Sequence, residues 1–570
     1  MELLQKLQNN QEEGTVSRLR AAWPFWCFVL LILLSLIFIL TDIFPQRDVA
    51  CRYAPMADAF RDRDFAYAFH PRTGFLHAFT SGVIALLLNC NGFLACKISS
   101  LLFMALGIFP LYGIMLRVYS RSMAEITTFA FVLASQLQRL AWSGLRDSHK
   151  SFLILLAGYA LILIYQERKN WMGYIWLAVA AGLGIVTRGD LVLYMSLIFL
   201  WGITMEMKLK GFPWRGLSAC ILSVVLTLPS ILLNWYYAGV AVPEIRFAWI
   251  FRKTMHRYPG LTDILVLIGL GIVLAFLSAW LIHRIYDAGH GKILFWIVTF
   301  CVSAALIRRI FFTEFYFEIS ILDYIWSIIL GFFPVFVFTA VFGIGYRLLQ
   351  KKWTREETIL AVILFGHALL VCLQIIFNDG YFYISPRYLS PAMPLELGWS
   401  VLGIMALWVL LTGWLKKDHP KLVQALGYAA FIITICGFII DFYVPLFQFA
   451  NAKGRRTQTK MHQLVSVIRN DYRGPEEFRP EVCPDYYISK RNLAIGYVAY
   501  HEKRKVMDIT AERIIVSAYL AGGRPARNLK EAQYVVEKYS DKNKIPADWR
   551  LLDTIELGKR KYRIWKKKSS

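Results

Sequence analysis

The sequence predicts an α-helical polytopic membrane protein with a small α/β region at its C-terminal end, on three observations. Of the 570 residues, 57% are hydrophobic and 18% charged, with a mean hydropathy of +0.47, whereas soluble chains carry about 25% charged residues. Apolar runs matched to the thickness of a bilayer recur along the chain. After Val444 the composition turns charged and basic, and those runs stop. An aromatic content of 15% also excludes a disordered chain.

The first apolar run, 23–44, follows a polar segment carrying Arg18 and Arg20 and has no small-residue cleavage site before Pro45. It reads as a retained signal anchor with its N-terminus in the cytoplasm. Further spans are predicted at 96–118, 124–141, 149–166, 171–187, 190–206 and 216–237, then at 263–283, 293–309, 325–349, 357–377, 388–412 and 422–445. That makes about 13 transmembrane helices. Alternating from a cytoplasmic N-terminus places Arg117/Arg121, Arg168/Lys169, Lys208/Lys210/Arg215, Arg284/Lys292, Lys351/Lys352/Arg355 and Lys416/Lys417/Lys421 inside. Every short inner loop is therefore basic, as the positive-inside rule requires. An odd number of spans exports the C-terminal region. The expected organisation is a cytoplasmic segment 1–22, a membrane domain 23–448 with a first outer loop at 45–95, and an extracytoplasmic α/β domain 449–570.

The net charge of +24 would suggest nucleic acid for a soluble protein. No nucleic-acid motif accompanies it, and in a membrane protein the same residues set topology and meet anionic lipids or phosphates. Nucleic acid is set aside as a partner, and membrane lipids take its place. The nine cysteines show neither CxxC nor zinc spacing. Cys51, Cys90 and Cys96 fall in or beside the first outer loop, which leaves a disulfide there open. In the tail, 505–509, 533–537, 549–556 and 561–565 read as strands, the last two forming a hairpin about Leu557-Gly558-Lys559-Arg560. Helices are expected at 457–472 and 510–520.

The outer loops carry the chemistry. They hold Arg47-Asp48, Phe69-His70-Pro71-Arg72, Arg146-Asp147-Ser148-His149-Lys150, Thr187-Arg188-Gly189, Arg308-Arg309 and Pro386-Arg387-Tyr388-Leu389-Ser390-Pro391. The stretch 73–90 can lie along the interface. Ionisable groups at membrane level are costly, and their gathering at one face points to a cavity opening there.

An acidic residue in a long first outer loop, a His/Pro motif, Leu145-Arg146-Asp147-Ser148 after the third span, a break at Thr187-Arg188-Gly189, the Arg387-to-Pro391 segment and an exported α/β tail occur in that order. This ordered set resembles the GT-C glycosyltransferases, in particular the bacterial aminoarabinose transferase and protein O-mannosyltransferase-like branch. The resemblance implies transfer of a sugar from a polyprenyl-phosphate-linked donor to a lipid, glycan or protein acceptor at the outer face of the plasma (inner) membrane. It implies catalytic carboxylates at Asp48 and Asp147. Two departures stand out: Arg47-Asp48 replaces an acidic pair, and Phe69 stands where aminoarabinose transferases have a carboxylate. The second argues against an amino-sugar donor.

The residue types suit that reaction. A carboxylate can take the proton of an acceptor hydroxyl, and guanidinium groups match the leaving phosphate. His70, Arg72, Lys150, Arg188, Arg308, Arg309, Arg387 and Tyr388 are the candidate substrate contacts. His70 and His77 are seven residues apart, a spacing that leaves a divalent metal open, and no other cofactor is assigned. Each has a plainer reading. Asp48 can pair with Arg47 or Arg52, and Asp147 can pair with Arg146 or cap a helix starting at Ser148. The arginines and Tyr388 can anchor spans at the interface. A secondary transporter and a lipid-linked glycan polymerase or ligase are the rival functions. The first is disfavoured by the lack of an internal repeat.

Overall fold

The computed structural model describes residues 22–41, 53–69, 74–207, 213–239, 260–290, 334–377 and 386–415 of the membrane body. In the tail it describes 481–483, 524–525, 534–538, 549–557 and 560–568, and it adds positions 49, 241–242 and 467. The body is helical. Helix α1 is Trp23–Thr41, followed by α2 (Ala54–Arg61), α3 (Phe65–Ala68) and α4 (Phe75–Leu87) in the first loop. Next come α5 (Gly92–Leu106), α6 (Ile108–Val118), α7 (Arg121–Leu133), α8 (Ser135–Trp142), α9 (Asp147–Gln166), α10 (Trp171–Thr187) and α11 (Gly189–Met207). The body continues with α12 (Trp214–Ala238), α13 (Leu261–Asp287), α14 (Pro334–Leu349), α15 (Arg355–Phe377), α16 (Pro386–Leu389) and α17 (Leu397–Leu415).

Five of the described helical segments are long and apolar enough to cross a membrane, and α16 with α17 makes a sixth if that bent pair is one span. Helices α9 to α12 start and stop close to where the sequence places them. The predicted spans at 293–309 and 422–445 lie outside the described residues. Two predicted spans are broken. The 124–141 run divides at Ala134, whose extended backbone (φ −65°, ψ 112°) separates α7 from α8. The 388–412 run passes through a 3₁₀ segment, Ser390–Leu395, before bending by 63° into α17. Pro391 and Pro394 cause this, because each lacks the N–H that an α-helix needs. Cys90 and Cys96 are free thiols.

Local chemistry fixes the helix ends. Asn91 accepts from the Leu94 N–H at 2.8 Å and Asn170 from the Met172 N–H at 2.9 Å, starting α5 and α10. Thr354 and Glu357 form a capping box at α15: the Glu357 N–H donates to Thr354 Oγ1 and the Thr354 N–H to Glu357 Oε2. Glu357 is fully buried and also receives the Arg347 guanidinium (2.9 Å) and the Tyr119 hydroxyl (3.1 Å), so one carboxylate ties α15 to α14 and to the end of α6.

Helix α9 is the central span. Its apolar window is 83% buried, against 11% for the peripheral α13. Leu153, Ile154, Leu155, Ala157, Leu161 and Ile164 of α9 enter the main core. Helices α14 and α17 approach to backbone contact: a Cβ on Gly403 would clash with the Thr339 carbonyl oxygen, and one on Gly343 with that of Trp399. Small residues at such a crossing let two spans pack without a hydrophobic driving force.

The tail forms a five-stranded sheet in the order β2-β1-β3-β5-β4, where β1 is Glu481–Cys483, β2 Arg524–Pro525, β3 Tyr534–Lys538, β4 Trp549–Leu557 and β5 Arg560–Lys567. Strand β1 pairs parallel with β2 and β3, while β5 pairs antiparallel with β3 and β4. The predicted hairpin is β4–β5, with Ile564 fully buried and a register shift between Leu551 and Asp553. The predicted strand at 505–509 and the helix at 510–520 lie outside the described residues, as does nearly all of the helix at 457–472.

Candidate active site

The site grows from the N-terminus of α9. Gly144 takes a left-handed conformation (φ +75°), which only glycine adopts without strain, and turns the chain from α8 into α9. The turn is held by two hydroxyls. Ser100 Oγ donates to the Leu145 carbonyl at 2.7 Å, and Ser148 Oγ donates to the Leu140 carbonyl at 2.7 Å. Arg146 takes the N-cap position and Asp147 is the first helical residue, so the carboxylate stands in the first turn, where the helix dipole favours it. The helix therefore begins one residue earlier than a Ser148 start.

All five residues from Asp147 to Ser151 are buried. Asp147, 1% exposed, lies between two guanidinium groups. Arg188 Nη1 donates to Asp147 Oδ1 at 2.6 Å, and Arg387 Nε stands 3.5 Å from Asp147 Oδ2. Arg188 comes from the break between α10 and α11, where its extended backbone (φ −163°, ψ 136°) stops the helix. Arg387 comes from α16. The Tyr388 ring lies beside both cations, 4.8 Å from the Arg188 guanidinium and 5.3 Å from that of Arg387. Lys150 is buried one turn further along α9.

A second layer supports the first. Arg146 Nη1 donates to the Thr187 carbonyl at 3.3 Å, and that carbonyl also meets Gly74, where a Cβ would clash. The Arg146 guanidinium lies 5.9 Å from the Tyr53 ring. Tyr53 packs on His77, His77 on His149 (4.8 Å between centroids in each pair), and His149 stacks on Phe103 at 3.8 Å. His149 Nε2 sits between the hydroxyls of Thr80 and Ser99, each 3.2 Å away. This ladder joins the first-loop helices to α5 and to the start of α9. Beside it, Phe60, Phe69, Phe75, Phe79 and Asn234 surround a small cavity against α12.

Of the residues singled out in the sequence, the structure brings Asp147, Arg188, Arg387 and Tyr388 together, with Lys150 on the same helix. Asp48, His70, Arg72, Arg308 and Arg309 lie outside the described residues. Sequence reasoning gave no separate role to Tyr53, to His149 or to the Thr80 and Ser99 hydroxyls beside it. Five consecutive polar residues opening an apolar span were the available signal for His149. Nothing in the sequence pairs Thr80 with Ser99. Among the described residues no group of three or more His, Cys, Asp or Glu could hold a metal ion.

No family model matches the sequence, and no curated protein matches it either. Among solved structures, the chain is similar to ArnT from Cupriavidus metallidurans bound to undecaprenyl phosphate, with a TM-score of 0.51, 12% identity, and coverage of 94% of this chain and 97% of that one. The apo form of the same protein gives 0.49 at 11% identity with the same coverage. The oligosaccharyltransferase AglB from Archaeoglobus fulgidus, in complex with an inhibitory peptide and a dolichol-phosphate, gives 0.49 at 12% identity over 90% of this chain and 69% of that one. At such identities the likeness carries the fold and not the chemistry. In fold, this chain is similar over nearly its whole length to the GT-C membrane glycosyltransferases.

Proposed function

We propose that this chain is an integral-membrane glycosyltransferase that moves a sugar from a polyprenyl-phosphate-linked donor to a lipid, glycan or protein acceptor at the extracytoplasmic face, with inversion. The observation that carries the reading is the buried cluster at the head of the central span, where two guanidiniums share one carboxylate beside a tyrosine ring. Cationic side chains gathered at the head of a span suit an anionic group. Arg188 and Arg387, with Lys150, supply them here, and Arg72, His70, Arg308 and Arg309 are assigned to the same task from the sequence.

In the reaction, the acceptor hydroxyl oxygen attacks the anomeric carbon and the bond from that carbon to the phosphate oxygen breaks. The polyprenyl phosphate leaves with the electron pair, and the hydroxyl proton passes to a carboxylate, which we assign to Asp48. Guanidiniums aimed at the leaving oxygen act where charge develops, which is where electrostatic catalysis is strongest. The N-terminus is assigned to the cytoplasm, the domain 449–570 to the opposite side, and the protein to the plasma (inner) membrane.

The test uses purified protein in detergent with radiolabelled polyprenyl-phosphate sugars, comparing wild type with Asp48→Asn in the presence and absence of divalent metal. Release of free polyprenyl phosphate by wild type, with a loss of about 10²–10⁴-fold in the variant, is the expected result. Equal rates would move the proton acceptor elsewhere. Substrate uptake by proteoliposomes without any donor binding would replace the enzyme with a transporter.

A further inference from the structure

We propose that Asp147 works through Arg188 and Arg387, as a positioning residue that sets the two guanidiniums for an anionic group, and is not itself the proton acceptor. This inference rests on the transferase reading.

Access is the first argument. The Asp147 side chain is 1% exposed, and its two oxygens face two different cations. An acceptor hydroxyl could come within hydrogen-bond distance of that carboxylate only by displacing an arginine. Charge is the second. Arg188 and Arg387 arrive from separate segments, a helix break and a four-residue helix, and both meet the Asp147 carboxylate and the Tyr388 ring. Two guanidiniums gathered about one ring repel each other, and the Asp147 carboxylate between them offsets that repulsion.

Geometry is the third. Tyr388, next to Arg387 in the chain, lies against both guanidiniums and limits how far they can rotate. The pair is asymmetric. Arg188 donates to Asp147 at 2.6 Å and is 9% exposed, whereas Arg387 stands 3.5 Å from it and is 29% exposed. Arg387 is therefore the more accessible of the two to an anionic group, and Arg188 with Asp147 is its support. Cations held in place before the ligand arrives need no reorganisation during the reaction.

A double-mutant cycle tests this with Asp147→Asn, Arg387→Gln and their combination. Two readouts are used: binding of undecaprenyl phosphate alone, and kcat and KM for sugar transfer across pH. If Asp147 acts through the arginines, Arg387→Gln weakens the probe about tenfold in the native background, as expected for one charge-assisted contact. It then does much less in the Asp147→Asn background, and the acidic limb of the rate profile survives in Asp147→Asn. Effects that multiply, together with loss of that limb and a kcat fall of about 10²–10⁴-fold in Asp147→Asn, would make Asp147 the base and overturn the proposal. Should Asp147→Asn fail to fold, Asp147→Glu keeps the charge and shifts it by one methylene. Weaker probe binding with the acidic limb in place supports positioning, and unchanged binding with a displaced limb overturns it. A wild-type protein that neither binds undecaprenyl phosphate nor transfers sugar would remove the transferase reading and this inference with it. Probe binding with fully additive variants would remove this inference alone.

Discussion

Arg188 reaches Asp147 with one nitrogen of a planar fork and lies against the Tyr388 ring. A lysine would keep the charge and lose both the fork and the stacking. Arg188→Lys is therefore expected to lower kcat/KM for sugar transfer by about tenfold to a hundredfold, read from steady-state kinetics in detergent. Glu167, in the turn after α9, makes a milder case. Hydrogen bonds from Arg117 and Asn170 hold its carboxyl below the usual range. A carboxylate depressed in the folded state adds stability that is present above its unfolded pKa and lost as pH falls through the folded value. Thermal unfolding followed from neutral pH down through the carboxylate range should show that loss in wild type and a smaller one in Arg117→Met. The group is exposed and screened, so the difference is small.

At the scale of elements, the close crossing of α14 and α17 and the Glu357 junction hold the body together. Gly403→Ala would drive a Cβ into the Thr339 carbonyl, with an expected cost of about 1–3 kcal/mol. Gly269→Ala and Gly271→Ala in α13, where no described residue would lie within 4 Å of the added Cβ, should be neutral or slightly stabilising. Comparing the three by thermal unfolding in one detergent checks both halves of the statement. Glu357→Gln leaves the Arg347 charge without its partner and is expected to cost about 3–5 kcal/mol, as when a buried pair is broken. The same elements show what could be read in advance. The ends of α10 and α11 follow from Asn170, Thr187 and Gly189, because caps and breaks are local chemistry. The division at Ala134 was not legible, since alanine is a good helix former and neighbouring helices must impose that break. The 3₁₀ segment at Ser390–Leu395 had its signal in Pro391 and Pro394.

For the whole molecule, the asymmetry of charge gives an orientation to test. Reporter fusions at the N-terminus and after Ser570 should mark opposite sides of the membrane, with alkaline phosphatase active only at the C-terminal end; activity at both ends or neither would undo the odd span count. The sequence by itself determined that this is a multi-pass helical membrane protein with a basic tail carrying a β-hairpin. Hydropathy and span length are properties of consecutive residues, and a bilayer reads them directly. It also singled out Asp147, Arg188, Arg387 and Tyr388 as candidates, because charge at a span end is costly wherever the chain goes. Only the tertiary structure decided that these four meet. Residues 147, 188 and 387 are far apart along the chain, and their contact depends on how α9, the α10–α11 break and α16 pack. The Thr80–Ser99–His149 cradle and the Tyr53–His77 stack arise in the same way. Nothing in any one segment names the partners of these side chains, and packing alone brings them within reach.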